Sequence, residues 1–211
     1  CDYFAFTGST QTGKKVAQRG AAKIIGYLME VGVKNPAIVL EGANKEKTAE
    51  RLLASFIGNS GQLCVATERA YVPKAELEQY TTLLGQKIES LKLGSSEVFD
   101  HDLGALISTE QIERVGGFLD RARDAGAKII GGRIEGQIIQ PSLVVQTDHK
   151  SEIASQEVFG PVLALIPYNS ISEAIEMAND TEYGLNASVF GNLAEAEKVA
   201  RQLQAGTVNI N

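Results

Sequence analysis

The chain has 211 residues, 44% of them hydrophobic and 22% charged, and a formal net charge of −6. A chain of this size and composition can bury a substantial core without disulfides or metals. It holds no long uninterrupted apolar stretch, and no charged segment followed by an apolar one opens it, so neither a membrane span nor a signal peptide is expected. The acidic balance excludes a dedicated nucleic-acid binder, which needs clustered Lys and Arg to displace counterions.

In chain order, residues 2–7 read as a strand. A glycine-rich turn follows, Gly8-Ser9-Thr10-Gln11-Thr12-Gly13-Lys14-Lys15, and leads into a helix. Organisation breaks near 30–36, where Gly32 and Pro36 interrupt an apolar run. From Ala49, the positions Leu52, Leu53, Phe56 and Ile57 continue one helical face. Leu77, Tyr80, Leu84, Ile88 and Leu91 make a second stripe, ended by Gly94. Ser108 and Gln111 have capping-box spacing ahead of Ile112, Val115, Leu119 and Ala122. Gly131, Gly132 and Gly136 mark a loop. Ser170 with Glu173 and Asn192 with Glu195 open two further helices.

Between the helices lie predicted strands at 37–40, 69–72, 128–130, 143–145, 162–166, 187–190 and 207–210. Continuous apolar strands alternating with helices predict an α/β fold, with a mostly parallel sheet covered by helices on both faces. The chain starts and stops inside sheet elements, so a piece of a longer protein is expected.

Four segments carry candidate chemistry. Gly8 to Lys14 fits the glycine spacing of a nucleotide-triphosphate loop, but Lys15 stands where that loop needs Ser or Thr to hold Mg²⁺. A plain strand–helix turn or another phosphate contact at the helix start are the competing readings. Cys64 follows a helix and a Gly-containing turn, a setting that can expose a thiol and lower its pKa. A buried, inert cysteine is the alternative. Glu30 is a lone carboxylate in an apolar run. Burial there would make it a general base near neutral pH, and a strand-end Glu facing solvent is the alternative. Glu157 precedes Phe159, Gly160 and Pro161 in a sharp loop before a buried strand. There it could accept hydrogen bonds from a ribose, or simply sit on a surface turn. Cys1 and Cys64 cannot build a disulfide scaffold, and free thiols fit a reducing compartment, so a cytoplasmic location is expected. His101 and His149 have no neighbouring cysteine, so no metal motif is visible.

Together these segments resemble the aldehyde dehydrogenase family in order and spacing. Phe6-Thr7-Gly8-Ser9 is similar to the family's Phe-Thr-Gly-Ser turn. Residues 30–36 resemble its Glu-Leu-Gly-Gly-Lys-x-Pro segment, with Val33 in place of the second glycine. Gly61-Gln62-Leu63-Cys64 is similar to its nucleophile motif, 34 residues beyond Glu30, and Glu157 to Val162 resemble its Glu-x-Phe-Gly-Pro motif. Tyr183-Gly184-Leu185 and Asn209-Ile210-Asn211 also resemble family segments.

The resemblance implies that residues 1–30 are the last strand, helix and strand of a dinucleotide-binding domain. It implies that residues 31–211 are the thiol-bearing catalytic domain, truncated at its C-terminal end. It also implies roles. Cys64 is the nucleophile and its N–H half of an oxyanion hole. Glu30 activates the hydrolytic water, Gly8 and Ser9 approach the phosphates of NAD or NADP, Glu157 holds the nicotinamide ribose and Phe159 packs beside the ring. The substrate is a small aldehyde. Leu63 and Glu68-Arg69-Ala70-Tyr71-Val72 are similar to the succinate-semialdehyde branch. The whole protein would be a homo-oligomer, with no membrane or nucleic-acid partner and no metal. The family's upstream oxyanion asparagine and adenine site are not among these residues, so negligible turnover is expected of the chain alone, and self-association through uncovered edges is a further expectation. A CoA-acylating relative, a non-catalytic protein on the same fold and a P-loop nucleotidase are the rival classes.

Overall fold

The computed structural model describes residues 1–95 and 100–211. Its contacts divide the chain into two units, Cys1–Val33 and Lys34–Asn211.

The first unit is one strand–helix–strand. β1 (Tyr3–Thr7) and β2 (Gly26–Glu30) pair in parallel, with Thr7 opposite Glu30. Helix α1 (Thr10–Ala21) connects them. Ser9 caps it, its Oγ accepting the Thr12 N–H at 3.3 Å, so one orphan donor of the first turn is satisfied. The turn from strand to helix is only two residues long. Gly13 already lies inside the helix, donating its N–H to the Ser9 carbonyl at 2.9 Å. A side chain there would meet Val31 Cγ1 at 2.6 Å, so this glycine serves close packing. The glycine spacing of a triphosphate loop is therefore met by a helix-packing residue, and no extended amide cradle forms.

The second unit holds a seven-stranded sheet in the order β11-β10-β3-β4-β9-β8-β5. Its strands are β3 (Asn35–Val39), β4 (Thr67–Pro73), β5 (Lys128–Gly131), β8 (Ser142–Val145), β9 (Val162–Tyr168), β10 (Asn186–Phe190) and β11 (Thr207–Ile210). All pairings in it are parallel except that of β5 with β8 at one edge. A short hairpin of β6 (Ile134–Glu135) and β7 (Ile138–Ile139) forms where the sequence showed only a glycine-marked loop.

The unbroken apolar runs follow from burial on both faces. Ala37 and Val39 of β3, Ala70 and Val72 of β4, and Leu163 and Leu165 of β9 point to one side. There they pack on Leu52 and Phe56 of α2 (Lys45–Ile57) and Tyr80, Leu84 and Ile88 of α3 (Leu77–Glu89). The alternate residues Ile38, Tyr71, Ala164, Ile166 and Val189 point to the other side. They meet Ala174 and Ala178 of α6 (Ile171–Asn179) and Ala196 and Val199 of α7 (Leu193–Ala200). Farther along that face, Val144 and Val162 pack on Val115 and Leu119 of α4 (Thr109–Asp124). The period-two alternation of strand side chains thus distributes one hydrophobic run between two cores. A one-turn helix, α5 (Glu152–Ser155), precedes the loop into β9.

Capping follows the sequence signals with one departure. Ser170 and Asn192 cap α6 and α7. Ser108 caps α4 through the Gln111 N–H, but the Gln111 side chain does not return to the cap. It donates instead to the carbonyls of Val158 and Phe159, so the box is half formed. Among the described residues no helix is long and apolar enough to cross a membrane.

Candidate active site

Residues 34–36, 64–68, 157–161 and 186 all lie at the amino ends of β3, β4, β9 and β10, and these strands run parallel. The polar candidates of the second unit therefore gather along one edge of the sheet.

Cys64 is exposed and sits in the loop between α2 and β4, so the buried-cysteine reading does not hold. Its loop begins with three successive left-handed residues, Asn59 (φ 49°), Ser60 (φ 56°) and Gly61 (φ 73°). That conformation costs a residue with a side chain roughly 1–2 kcal/mol. It persists because the surroundings over-determine it. Ser60 Oγ donates to the Gly104 carbonyl at 2.9 Å. Asn59 Nδ2 donates to the Gln62 carbonyl, and Gln62 Nε2 returns to that of Asn59, each at 3.2 Å. Gln62 Oε1 also accepts the Ile107 N–H at 3.0 Å. Gly61 is where this turn meets the second loop: a Cβ there would lie 2.2 Å from the Gly160 carbonyl carbon and oxygen. Only glycine allows both the positive φ and that approach.

The exit of the loop is held by asparagines. Asn35, 2% exposed, donates through Nδ2 to the carbonyls of both Cys64 and Ala66 at 2.8 Å. Its Oδ1 accepts the Asn186 N–H at 3.2 Å, Asn186 Nδ2 reaches the Val65 carbonyl at 3.3 Å, and Asn209 Nδ2 reaches Asn186 Oδ1 at 2.8 Å. The nucleophile candidate's backbone is thus tied to β3, β10 and β11.

The second loop carries Glu157 and Phe159, both half-buried. Phe159 has φ 55°. Arg114 donates to the carbonyls of Glu157 (2.6 Å) and Val158 (3.0 Å), and Gln111 to those of Val158 and Phe159. The N–H groups of Val158 and Phe159 converge on the carboxylate of Glu68, which also takes Lys34 Nζ at 2.6 Å. Burial holds the Lys34 ammonium below its ordinary pKa, and the Glu68 carboxylate opposes that shift. Arg69, also buried, donates to the Lys34 carbonyl and to those of Met177 and Ala178.

In the first unit, Gly8 donates its N–H to the Glu30 carbonyl at 3.0 Å, extending the β1–β2 ladder past Thr7. Ser9 spends its hydroxyl on the helix cap, and both residues are exposed. Glu30 closes β2 with its side chain exposed, so the buried-acid reading gives way to the strand-end one. Val33 does not have a positive φ, so the position filled by glycine in the family motif makes no such demand here.

A model described as "Aldehyde dehydrogenase family" matches residues 1–211, and the chain belongs to that family. A Mycolicibacterium smegmatis protein provisionally named succinate-semialdehyde dehydrogenase [NADP(+)] is 43% identical, the match covering 100% of this chain and 42% of that protein. The Mycobacterium tuberculosis aldehyde dehydrogenase solved in complex with NAD+ is 34% identical with a TM-score of 0.95, over 99% of this chain and 45% of that one. The betaine aldehyde dehydrogenase of Staphylococcus aureus, also solved with NAD+, is 32% identical with a TM-score of 0.95, over 99% and 43%. The chain thus spans less than half the length of the relatives it matches.

Sequence reading assigned no role to Asn35, Lys34 or Glu68. A signal existed: Lys34 and Asn35 adjoin, and Thr67-Glu68-Arg69 open, strands that are otherwise continuous apolar runs. Charged residues in such places must find partners. Which partners they find is a matter of three dimensions.

The Gly61–Gly160 approach makes a specific demand. Gly61→Ala is expected to destabilise the protein by at least about 3 kcal/mol in urea unfolding. Gly58→Ala, whose Cβ would meet only the Leu63 side chain at 3.2 Å at negative φ, is expected to cost less than about 1 kcal/mol.

Proposed function

We propose that this chain supplies the thiol-bearing part of an NAD(P)-dependent aldehyde dehydrogenase whose substrate is succinate semialdehyde. The observation that carries the reading is an exposed cysteine, in the family's sequence context, held by a strained and internally braced turn. We assign residues 31–211 to the catalytic domain and residues 1–30 to the end of a dinucleotide-binding domain. Relatives named for succinate semialdehyde and NADP+ support the substrate and the cofactor class.

The Glu157–Gly160 loop fits the cofactor role. Its amides at Val158 and Phe159 and its carbonyls from Glu157 to Phe159 are bonded within the protein. Its Glu157 and Phe159 are half-buried. A carboxylate accepts from ribose hydroxyls, and an aromatic ring packs on a flat heterocycle. Gly8 and Ser9 would lie beside the phosphates, with the Cα edge of Gly8 as the approach surface, since its amide is occupied. The bound dinucleotide supplies a hydride acceptor.

In the proposed reaction Cys64 Sγ, as thiolate, adds to the aldehyde carbonyl, and the oxygen becomes the oxyanion of a thiohemiacetal. The Cys64 N–H stabilises that charge as it develops. Collapse of the oxyanion expels hydride and leaves a thioester on Sγ. Glu30, assigned from the family motif and not from burial, takes a proton from water, the hydroxide adds to the thioester carbonyl, and the C–S bond breaks to give carboxylic acid and thiolate.

Three outcomes test this reading. In the protein produced from its own gene, Cys64→Ala is expected to lower aldehyde-dependent NAD(P)H formation by at least about 10³-fold; retention of more than a tenth of the rate refutes the nucleophile. The 211-residue polypeptide expressed alone is expected to show negligible turnover, since loss of one oxyanion donor alone costs about 10²–10³; turnover near that of a relative's full chain refutes it. Succinate semialdehyde is expected to exceed butanal in kcat/KM by about tenfold or more, the worth of one distal charge contact; equal values remove the substrate assignment.

A further inference from the structure

Glu68 has no part in the proposed chemistry, yet it is buried with both carboxylate oxygens bonded. It lies in the first turn of chain after the thiol, at the start of β4, with 2% of its surface exposed. Its Oε2 accepts Lys34 Nζ at 2.6 Å and the Val158 N–H at 3.0 Å. Its Oε1 accepts the Phe159 N–H at 2.9 Å and lies 3.3 Å from that of Val158. Two successive backbone amides closing on one anion form a nest, and the left-handed Phe159 (φ 55°) gives the nest its curvature. A bulky residue does not hold that conformation unaided.

We propose that Glu68 is a positioning residue for the dinucleotide: by anchoring the Val158 and Phe159 amides it fixes the left-handed turn that aims the Glu157 carboxylate and the Phe159 ring at the nicotinamide half of the cofactor. This rests on the proposed function and goes beyond it. Lys34 neutralises the buried carboxylate. Arg114 and Gln111 grip the carbonyl side of the same turn, so Glu68 sets its curvature while they set its position. A neutral amide at position 68 would accept at one oxygen only and turn its NH₂ toward either Lys34 or a backbone N–H. Glu68→Gln is therefore expected to rescue part of what Glu68→Ala loses.

The test uses the protein produced from its own gene, with Glu68→Ala and Glu68→Gln. Four quantities are read: folding by thermal melting, KM for NAD+ and NADP+, KM for the aldehyde, and the dinucleotide-free acylation of Cys64 by p-nitrophenyl acetate. Loss of hydrogen bonds to a charged acceptor is expected to raise the dinucleotide KM about tenfold or more in Glu68→Ala and less in Glu68→Gln. Aldehyde KM and thiol acylation are expected to stay within about threefold. An unchanged dinucleotide KM in folded Glu68→Ala overturns the proposal, as does a loss in Glu68→Gln equal to that in Glu68→Ala. So does an equal loss of acylation and dinucleotide affinity, which would make Glu68 a general brace of β4. Backbone amide exchange at Val158 and Phe159 reads the clamp without any turnover. Strong protection is expected in the unsubstituted protein, and rapid exchange there overturns the clamp even if neither variant folds. A protein with both amides protected but no dinucleotide-dependent aldehyde oxidation would refute the proposed function and, with it, the cofactor-positioning role, while leaving the clamp standing.

Discussion

A carboxylate with 2% exposure is costly to bury unless donors replace the water it has lost. Glu68 has three such donors, one ammonium and two amides, drawn from two other parts of the site's framework. The ammonium comes from Lys34 at the start of the second unit. The amides come from the loop that carries Phe159. The carboxylate itself is on the strand that follows the thiol. Removing any one member leaves a buried polar group short of a partner, so polar satisfaction constrains the arrangement of these segments beside the hydrophobic contacts of Val158. The asparagine chain from Asn35 through Asn186 to Asn209 applies the same logic to the carbonyls of Cys64, Val65 and Ala66.

In open parallel sheets, ligands usually gather beyond the carboxyl ends of the strands. Here the thiol loop enters β4, the Phe159 loop enters β9, and Asn35 and Asn186 open β3 and β10, all at amino ends. The amides and carbonyls freed at that edge are consumed by side chains: Asn35 takes carbonyls, Glu68 takes amides, and Arg114 and Gln111 take carbonyls again. Along that edge Cys64 is exposed, and Glu157 and Phe159 are half-buried.

The layered fold was legible because burial on both sheet faces writes itself as unbroken apolar runs, and the helices as stripes with Ser or Asn caps. The short hairpin around Gly136 was not, since two-residue strands leave no period to read. Cys64 and Phe159 stood out through local motif chemistry. Asn35 and Glu68 did not, because their meaning lies in partners far along the chain: Asn35 with Asn186, Glu68 with Val158. The capping spacing of Ser108 and Gln111 misled in a useful way. Half of the box is formed, and the glutamine is diverted to the carbonyls of the Phe159 turn.

The backbone approach of Gly61 to Gly160 joins segments about a hundred residues apart in sequence, a separation that makes loop closure entropically slow. The intervening chain includes β4, α3, α4 and the whole antiparallel pair of β5 and β8. The cysteine's turn is strained, and beyond its own Asn59–Gln62 bonds it is braced from farther along the chain, at Gly104, Ile107 and Gly160. The turn ahead of Cys64 therefore holds its braced form only when segments as far along the chain as Gly160 are in place.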